Sequence, residues 1–316
     1  MTIAVFGLGR MGMQIAKRLH VNHFNVLAWN RSEEPRKDFD LFVSLPATHD
    51  HGMRIGSRSF EHVKDVTDQM QDGPRVFWLM LPQGIVEDFI FGPDQLGMYL
   101  KAGDIVIDGG NSFYKDSIRR AEMLKEKGVH FYDCGTSGGV WGFANGFALM
   151  VGGSKEAWSA VEPVFKTLSS GDNYGLVGEN GSGHFVKMVH NGIEYGMMEA
   201  IAEGYGVLEA SNFKLDLKQV TRIYQTGSVV RSWLIDLMHN IFENEDVAST
   251  SGKIDSTGEG EWTINAGKEL GVDVRVIEAS LKVRQESADP KNQTKFSNKI
   301  VALLRKQFGG HGITRK

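Results

Sequence analysis

The chain has 316 residues, 41% of them hydrophobic and 23% charged, with 35 Lys and Arg against 39 Asp and Glu and a formal net charge of −4. That balance belongs to a globular chain large enough for two domains, and with no basic tract the chain is a poor candidate for non-specific nucleic-acid binding. The single cysteine, Cys134, excludes a disulfide framework; no run nears the about 20 apolar residues of a membrane helix, so no membrane partner is expected. Met1 leads straight into a glycine motif without a charged-then-apolar leader, so a cytoplasmic location is expected.

Up to about residue 176, strands alternate with helices. Residues 2–7 form an apolar run suited to a buried strand, 11–20 read as a helix and 24–29 as a second strand. Residues 40–45 suggest a short third strand. Residues 75–81 give a clear strand stopped by Pro82, and 104–108 another ending in Gly109-Gly110-Asn111. A helix over 114–127, a strand over 129–134, an edge strand over 148–151 and a helix over 154–168 capped by Ser154 complete this half. Repeated strand–helix units imply a mostly parallel sheet covered by helices. From about Ser182 only helical periodicity is found: 182–208, 217–227, 228–240, 265–270, 274–286 and 295–307. The expected organisation is an α/β domain over 1–181 and an all-α domain over 182–316.

Gly7-Leu8-Gly9-Arg10-Met11-Gly12 is G-x-G-x-x-G between a strand and a helix. The first glycine permits the tight turn, the second a close approach to a pyrophosphate, and the third close helix–strand packing. The second strand ends in Asn30-Arg31-Ser32, with no acid before Glu33. A carboxylate there would hold the ribose 2′-hydroxyl of NAD, whereas Arg31 suits a 2′-phosphate. The turn points to NADP, with NAD also possible. Met80 and Leu81 are counted among the cofactor contacts.

Asn111 follows a strand end, where ligands bind in such sheets, and can both give and accept hydrogen bonds. Ser137-Gly138-Gly139 offers a hydroxyl and close backbone N–H groups to a carboxylate; an ordinary turn is the plainer alternative for either segment read alone. On the long helix, Val186, Val189, Ile193, Met197 and Ala200 make an apolar stripe. Lys187, His190, Asn191 and Glu194 recur on another face. Lys187 and Glu194 lie two turns apart, about 10 Å along the axis. They can flank a small substrate as base and acid. A solvated polar stripe is the plainer alternative. The histidines, His49 and His51 included, show no zinc spacing, so no metal is expected.

In order along nearly the whole chain, these segments and the ending Leu304-Arg305-Lys306-Gln307-Phe308-Gly309-Gly310-His311 resemble the decarboxylating 6-phosphogluconate dehydrogenase family, in its short form. The resemblance implies an N-terminal Rossmann-type domain followed by an all-helical one, in a homodimer or a dimer of dimers. It implies that Lys187 takes the proton of the substrate 3-hydroxyl and that Glu194 protonates the enediol left by decarboxylation. It places Ser137, Gly138 and Gly139 at the carboxylate, and Asn111, His190 and Asn191 at the hydroxyls and nicotinamide. Tyr195 and Arg284 fall at the phosphate, with Arg305 and His311 contributed by a partner's tail. At Thr257 and Glu259 the chain departs from the long form, and at Glu261 it departs from the arginine usual in the short form. Two alternatives stand beside this reading. One is another β-hydroxyacid dehydrogenase, such as a hydroxyisobutyrate-type enzyme; the other is a non-catalytic NADP-binding regulatory protein.

Overall fold

The computed structural model describes residues 1–45, 56–70, 73–255 and 258–313. It divides into two compact units, Met1–Lys187 and Met188–Lys316. The first unit runs β1 (Thr2–Phe6), α1 (Arg10–Val21), β2 (Asn25–Trp29), α2 (Glu33–Ser44), β3 (Arg58–Phe60), α3 (Val63–Asp68), β4 (Val76–Leu79) and α4 (Gln83–Phe91). It continues through β5 (Ile105–Asp108), α5 (Tyr114–Lys125), β6 (His130–Ser137), α6 (Gly142–Asn145), β7 (Phe147–Gly153), α7 (Trp158–Leu168) and β8 (Ser169–Gly178).

The eight strands form one sheet in the order β3-β2-β1-β4-β5-β6-β7-β8, parallel throughout except for the β6–β7 pair. Alternation along β1 explains why both faces are covered. Ile3 and Val5 enter one core with Ile15, Leu19 and Phe165, while Ala4 and Phe6 enter the other with Val66, Phe89 and Leu124. The strand order reverses between β1 and β4. Ligands bind beyond the carboxyl ends of strands at such a switch point. Gly7 follows β1 there, and Met80 and Leu81 follow β4.

Three local expectations are corrected. Residues 40–45 belong mostly to α2, not to a strand. Ser32 stands at its N-cap, Glu33 and Glu34 favour its first turn, and Phe39, Phe42 and Val43 follow helical spacing. The third strand is β3, too short to leave a pattern. The strand over 148–151 is β7, which is flanked on both sides; the edge is β8, whose Gly171-Asp172-Asn173 gives no apolar run. Ser154 does not cap α7. Its Oγ accepts from the Glu156 N–H at 3.1 Å in a turn, and the helix starts at Trp158.

The unit boundary falls inside α8 (Ser182–Glu209). After it come α9 (Leu217–Gln225), α10 (Trp233–Asn244), α11 (Glu259–Glu269), α12 (Arg275–Glu286) and α13 (Phe296–Gly309). Helix α10 begins later than its periodicity suggests because Ser232 caps it, its Oγ accepting from the Ile235 N–H at 3.3 Å. The core of this unit joins Met198, Ala202 and Tyr205 of α8 to Ile235 and Met238 of α10 and to Ile300, Val301, Leu303 and Leu304 of α13. Among the described residues, no helix is long and apolar enough to cross a membrane.

Candidate active site

At the end of β1, Gly7 has φ +99°, and a Cβ there would press on the Met80 carbonyl. A Cβ on Gly12 would strike the Gly7 carbonyl, so α1 can lie this close to the strand only with glycine. Gly9 differs: nothing lies within 4 Å of where its Cβ would sit, so the space before the loop is open. Helix α1 has no acid in its first turn, and its N-terminal N–H groups suit a pyrophosphate. These residues therefore fit a dinucleotide. Leu8 is buried, Met11 half-buried and Arg10 exposed.

Asn30 braces this loop. Its Oδ1 accepts from the Leu8 N–H at 2.9 Å, and its Nδ2 donates to the Ser32 carbonyl at 3.2 Å. Arg31 and Ser32 are exposed beside it. The next acid, Glu33, pairs with Lys37 at 2.8 Å.

Asp108, fully buried at the end of β5, fixes the turn that presents Asn111. It accepts from the Gly110 N–H at 3.1 Å and from the Ser112 hydroxyl at 2.7 Å. Thr136 Oγ1 donates to the Gly109 carbonyl at 3.4 Å and ties the end of β6 to the same turn. Ser137 ends β6, and Gly138 and Gly139 follow with φ of +138° and +56°. These values favour glycine and turn the chain sharply at the strand end.

Lys187 is held against this strand end. The Asp133 carboxylate on β6 accepts from the Gly181 N–H at 2.6 Å and the His184 N–H at 2.8 Å, meeting two donors that the start of α8 would leave bare. Asn180 donates to the Phe131 carbonyl at 2.7 Å, and His184 Nδ1 meets Ser117 Oγ at 2.7 Å. Gly183 lies so close to the Asp133 and Met150 carbonyls that a side chain would collide with both. A Cβ on Gly135 would run into Lys187 itself, with the Lys187 Cγ at 3.0 Å. The lysine stem therefore crosses β6 two residues before Ser137. That Asp133 anchors α8 and that Gly135 makes room for Lys187 is not legible in the sequence; an acid inside the apolar run of β6 is the available signal for the first.

The second unit assembles another group. His190 Nδ1 is 3.1 Å from Asn191 Oδ1 and 3.9 Å from Glu194 Oε2. Tyr195 is buried, and the Arg284 guanidinium lies over its ring, 3.2 Å from the centroid. Burial pushes the Tyr195 hydroxyl's pKa up, against the lowering charges of Arg284 and Arg305. Burial lowers the pKa of both arginines. The Tyr195 hydroxyl, Arg284 Nε and Nη2, and both oxygens of the buried Glu199 have no hydrogen-bond partner.

Arg305 lies close enough to Tyr195, Glu194 and Arg284 of its own chain for its charge to bear on them. The resemblance assigns this arginine to a partner's tail. Here α13 carries it into the chain's own cluster, because the apolar face of that helix is locked in the unit's core. His311 follows, half-buried. Glu261 is exposed in the first turn of α11, where negative charge is favourable, whereas Glu259 is buried. Thr257, His49 and His51 lie outside the described residues. Cys134 is buried within β6, and burial pushes its thiol pKa up, away from nucleophilic use.

A family model for the NAD-binding domain of 6-phosphogluconate dehydrogenase matches residues 2–178, and one for the C-terminal domain of 6-phosphogluconate dehydrogenase matches residues 183–311. A Bacillus subtilis protein provisionally named 6-phosphogluconate dehydrogenase YqeC is 39% identical over 317 residues, covering 100% of both chains. A Haloferax volcanii protein named as an NAD(+)-dependent, decarboxylating 6-phosphogluconate dehydrogenase is 37% identical, covering 100% of this chain and 99% of its own. The structure of Plasmodium falciparum 6-phosphogluconate dehydrogenase, described with NADP+ and with 6-phosphogluconate, matches with a TM-score of 0.82 at 28% identity. That match covers 93% of this chain and 64% of the other. Fold and glycine loop define a dinucleotide-dependent dehydrogenase with a helical second domain. The chain belongs to the 6-phosphogluconate dehydrogenase family.

Proposed function

We propose that the protein oxidatively decarboxylates 6-phospho-D-gluconate to D-ribulose 5-phosphate and CO2, using NADP and, less well, NAD. The observation that carries this reading is the cluster of buried, unsatisfied donors on Tyr195 and Arg284, with Arg305 beside them. Each such group left bare costs about 1–3 kcal/mol. A phosphate dianion satisfies several at once and suits the guanidinium geometry. The names of the relatives support the same substrate, and the neutral Asn30 and exposed Arg31 support NADP.

NADP supplies a hydride acceptor for C3 when bound. The glycine loop and the start of α1 hold its pyrophosphate, with Met80, Leu81 and Asn111 alongside. Lys187 takes the proton of the 3-hydroxyl as C3 becomes a ketone. Ser137 and the Gly138 and Gly139 backbone hold the C1 carboxylate beside the lysine stem. The new ketone is β to that carboxylate, so the electrons of the breaking C1–C2 bond flow towards the C3 oxygen, where protonated Lys187 stabilises the charge. Glu194 then delivers a proton to the former C2. His190 and Asn191 orient the hydroxyls, and Tyr195, Arg284, Arg305 and His311 hold the phosphate.

Self-association as a homodimer or a dimer of dimers is also proposed. Along α8, Val186, Ile193 and Met197 are 39%, 55% and 41% exposed. The apolar stripe read in the sequence thus faces outward in the single chain, as an interface would. Sedimentation of a monomer at micromolar concentration would refute this.

The deciding experiment is reduction of NADP and NAD with 6-phosphogluconate, following CO2 alongside absorbance. Equal amounts of CO2 and NADPH are expected. Reduction without CO2 would favour a hydroxyacid dehydrogenase that does not decarboxylate, and no reduction would refute the proposal.

A further inference from the structure

The tyrosine–arginine cluster contains an acid that the proposed reaction does not use. Glu199 lies on α8, one turn beyond Tyr195, and is 4% exposed; Arg284 is 2% exposed. Its Oε1 stands 3.9 Å from Arg284 Nε, near enough to pair in charge and too far for a hydrogen bond. Both Glu199 oxygens, and Nε and Nη2 of Arg284, are without hydrogen-bond partners. A buried carboxylate this loosely held has lost its water without full compensation.

We propose that Glu199 is a positioning residue of the anion site: it is the resident counter-charge behind Arg284, and it takes up a proton when a phosphorylated substrate claims that arginine. The inference rests on the phosphate reading of the Tyr195–Arg284 cluster. Substrate dianion and Glu199 carboxylate compete for the same buried cation. Once the dianion binds, a charged Glu199 would face it with no intervening solvent, and neutralisation by a proton removes that repulsion.

Burial already pushes the Glu199 carboxyl up to about 7, with Arg284 lowering it and Glu203 raising it. The group therefore sits between its two states near neutral pH. The charges that bear on it are Arg284 from α12 and the exposed Glu203 one turn further along α8. Tyr195 from α8 and Arg305 from α13 act on it through Arg284.

The test is calorimetric binding at pH 7.5 in two buffers of different ionisation enthalpy. Two probes are used: sulfate, a dianion that does not titrate there, and 6-phosphogluconate. Wild-type protein should take up roughly half a proton or more per site on binding either one. Glu199→Gln, which keeps the shape and removes the titration, should lose that uptake. In kinetics, KM for 6-phosphogluconate should rise by up to about tenfold per pH unit above 7 in the wild type relative to Glu199→Gln. The shape of the kcat–pH profile should be shared. A merely structural Glu199 would alter KM at every pH and leave the proton count alone. Wild-type binding of sulfate without proton uptake, or undiminished uptake in Glu199→Gln, would overturn the inference. Sulfate-linked uptake without turnover of 6-phosphogluconate would uphold Glu199 and refute the substrate. Turnover without Glu199-dependent uptake would do the reverse.

Discussion

Replacing Gly135 by alanine tests the geometry that brings Lys187 to the strand end. The added Cβ would meet Lys187 Cγ at 3.0 Å and the Gly183 carbonyl oxygen at 2.9 Å, with Lys187 Cβ nearer still. Ordinary carbon contacts begin at about 3.5 Å. The lysine stem must therefore retreat by about half an ångström or more. It cannot retreat freely, because Asp133 holds the first turn of α8 through two hydrogen bonds and Gly183 is jammed against backbone. Overpacking of this kind costs about 1–3 kcal/mol of stability. A misplacement approaching 1 Å at a reacting group costs on the order of 100-fold in rate. Gly135→Ala should thus fold with a lowered denaturation midpoint and a kcat reduced by about 10- to 100-fold. NADPH affinity, measured by fluorescence titration, should change little, since Gly7, Gly9 and Gly12 lie elsewhere in the unit. A folded variant with a kcat within twofold of wild type would refute the claim that this contact sets the lysine.

Lys187→Met should lower kcat by at least about 100-fold while leaving NADPH affinity nearly intact, and retention of more than a few per cent of kcat would rule it out as the base. Arg31→Ala should lower kcat/KM for NADP by about 10-fold or more and for NAD far less; equal losses would show that Arg31 does not read the 2′-phosphate. Glu199 ionises near 4.5 when unfolded but holds its proton to about 7 when folded, so the folded state binds more protons between those values and its stability falls as pH rises through them. Denaturant unfolding of wild type should therefore lose up to about 3 kcal/mol relative to Glu199→Gln between pH 4 and pH 8, and parallel pH curves would count against this. Because Arg305 lies in its own chain's cluster, mixing Lys187→Met and Arg305→Ala subunits should restore no activity. Recovery in verified hybrids would mean that the tail works across subunits.

The glycine loop, the alternation of strands and helices, and the polar face of the long helix are legible in the sequence. Each of these is local: a turn needing positive φ, a period of two or near four, a run of 28 helical residues. It could not show β8, because an edge strand need not bury either face and so leaves no apolar pattern. Residues 40–45 are ambiguous in the sequence, because a short apolar cluster fits either period; the continuation of α2 from Glu33, with Phe39 buried, decides. What holds the candidate residues in place comes from long-range packing. Asp133 meets the N–H groups of a helix about 50 residues later, Gly135 makes room for Lys187, and α13 brings Arg305 to Tyr195. Glu199 reads in sequence as one more acid on a helix; its burial against Arg284 follows from how α8, α12 and α13 pack. Such pairings join residues far apart in the chain, and their energies depend on solvent exclusion, which no local pattern encodes.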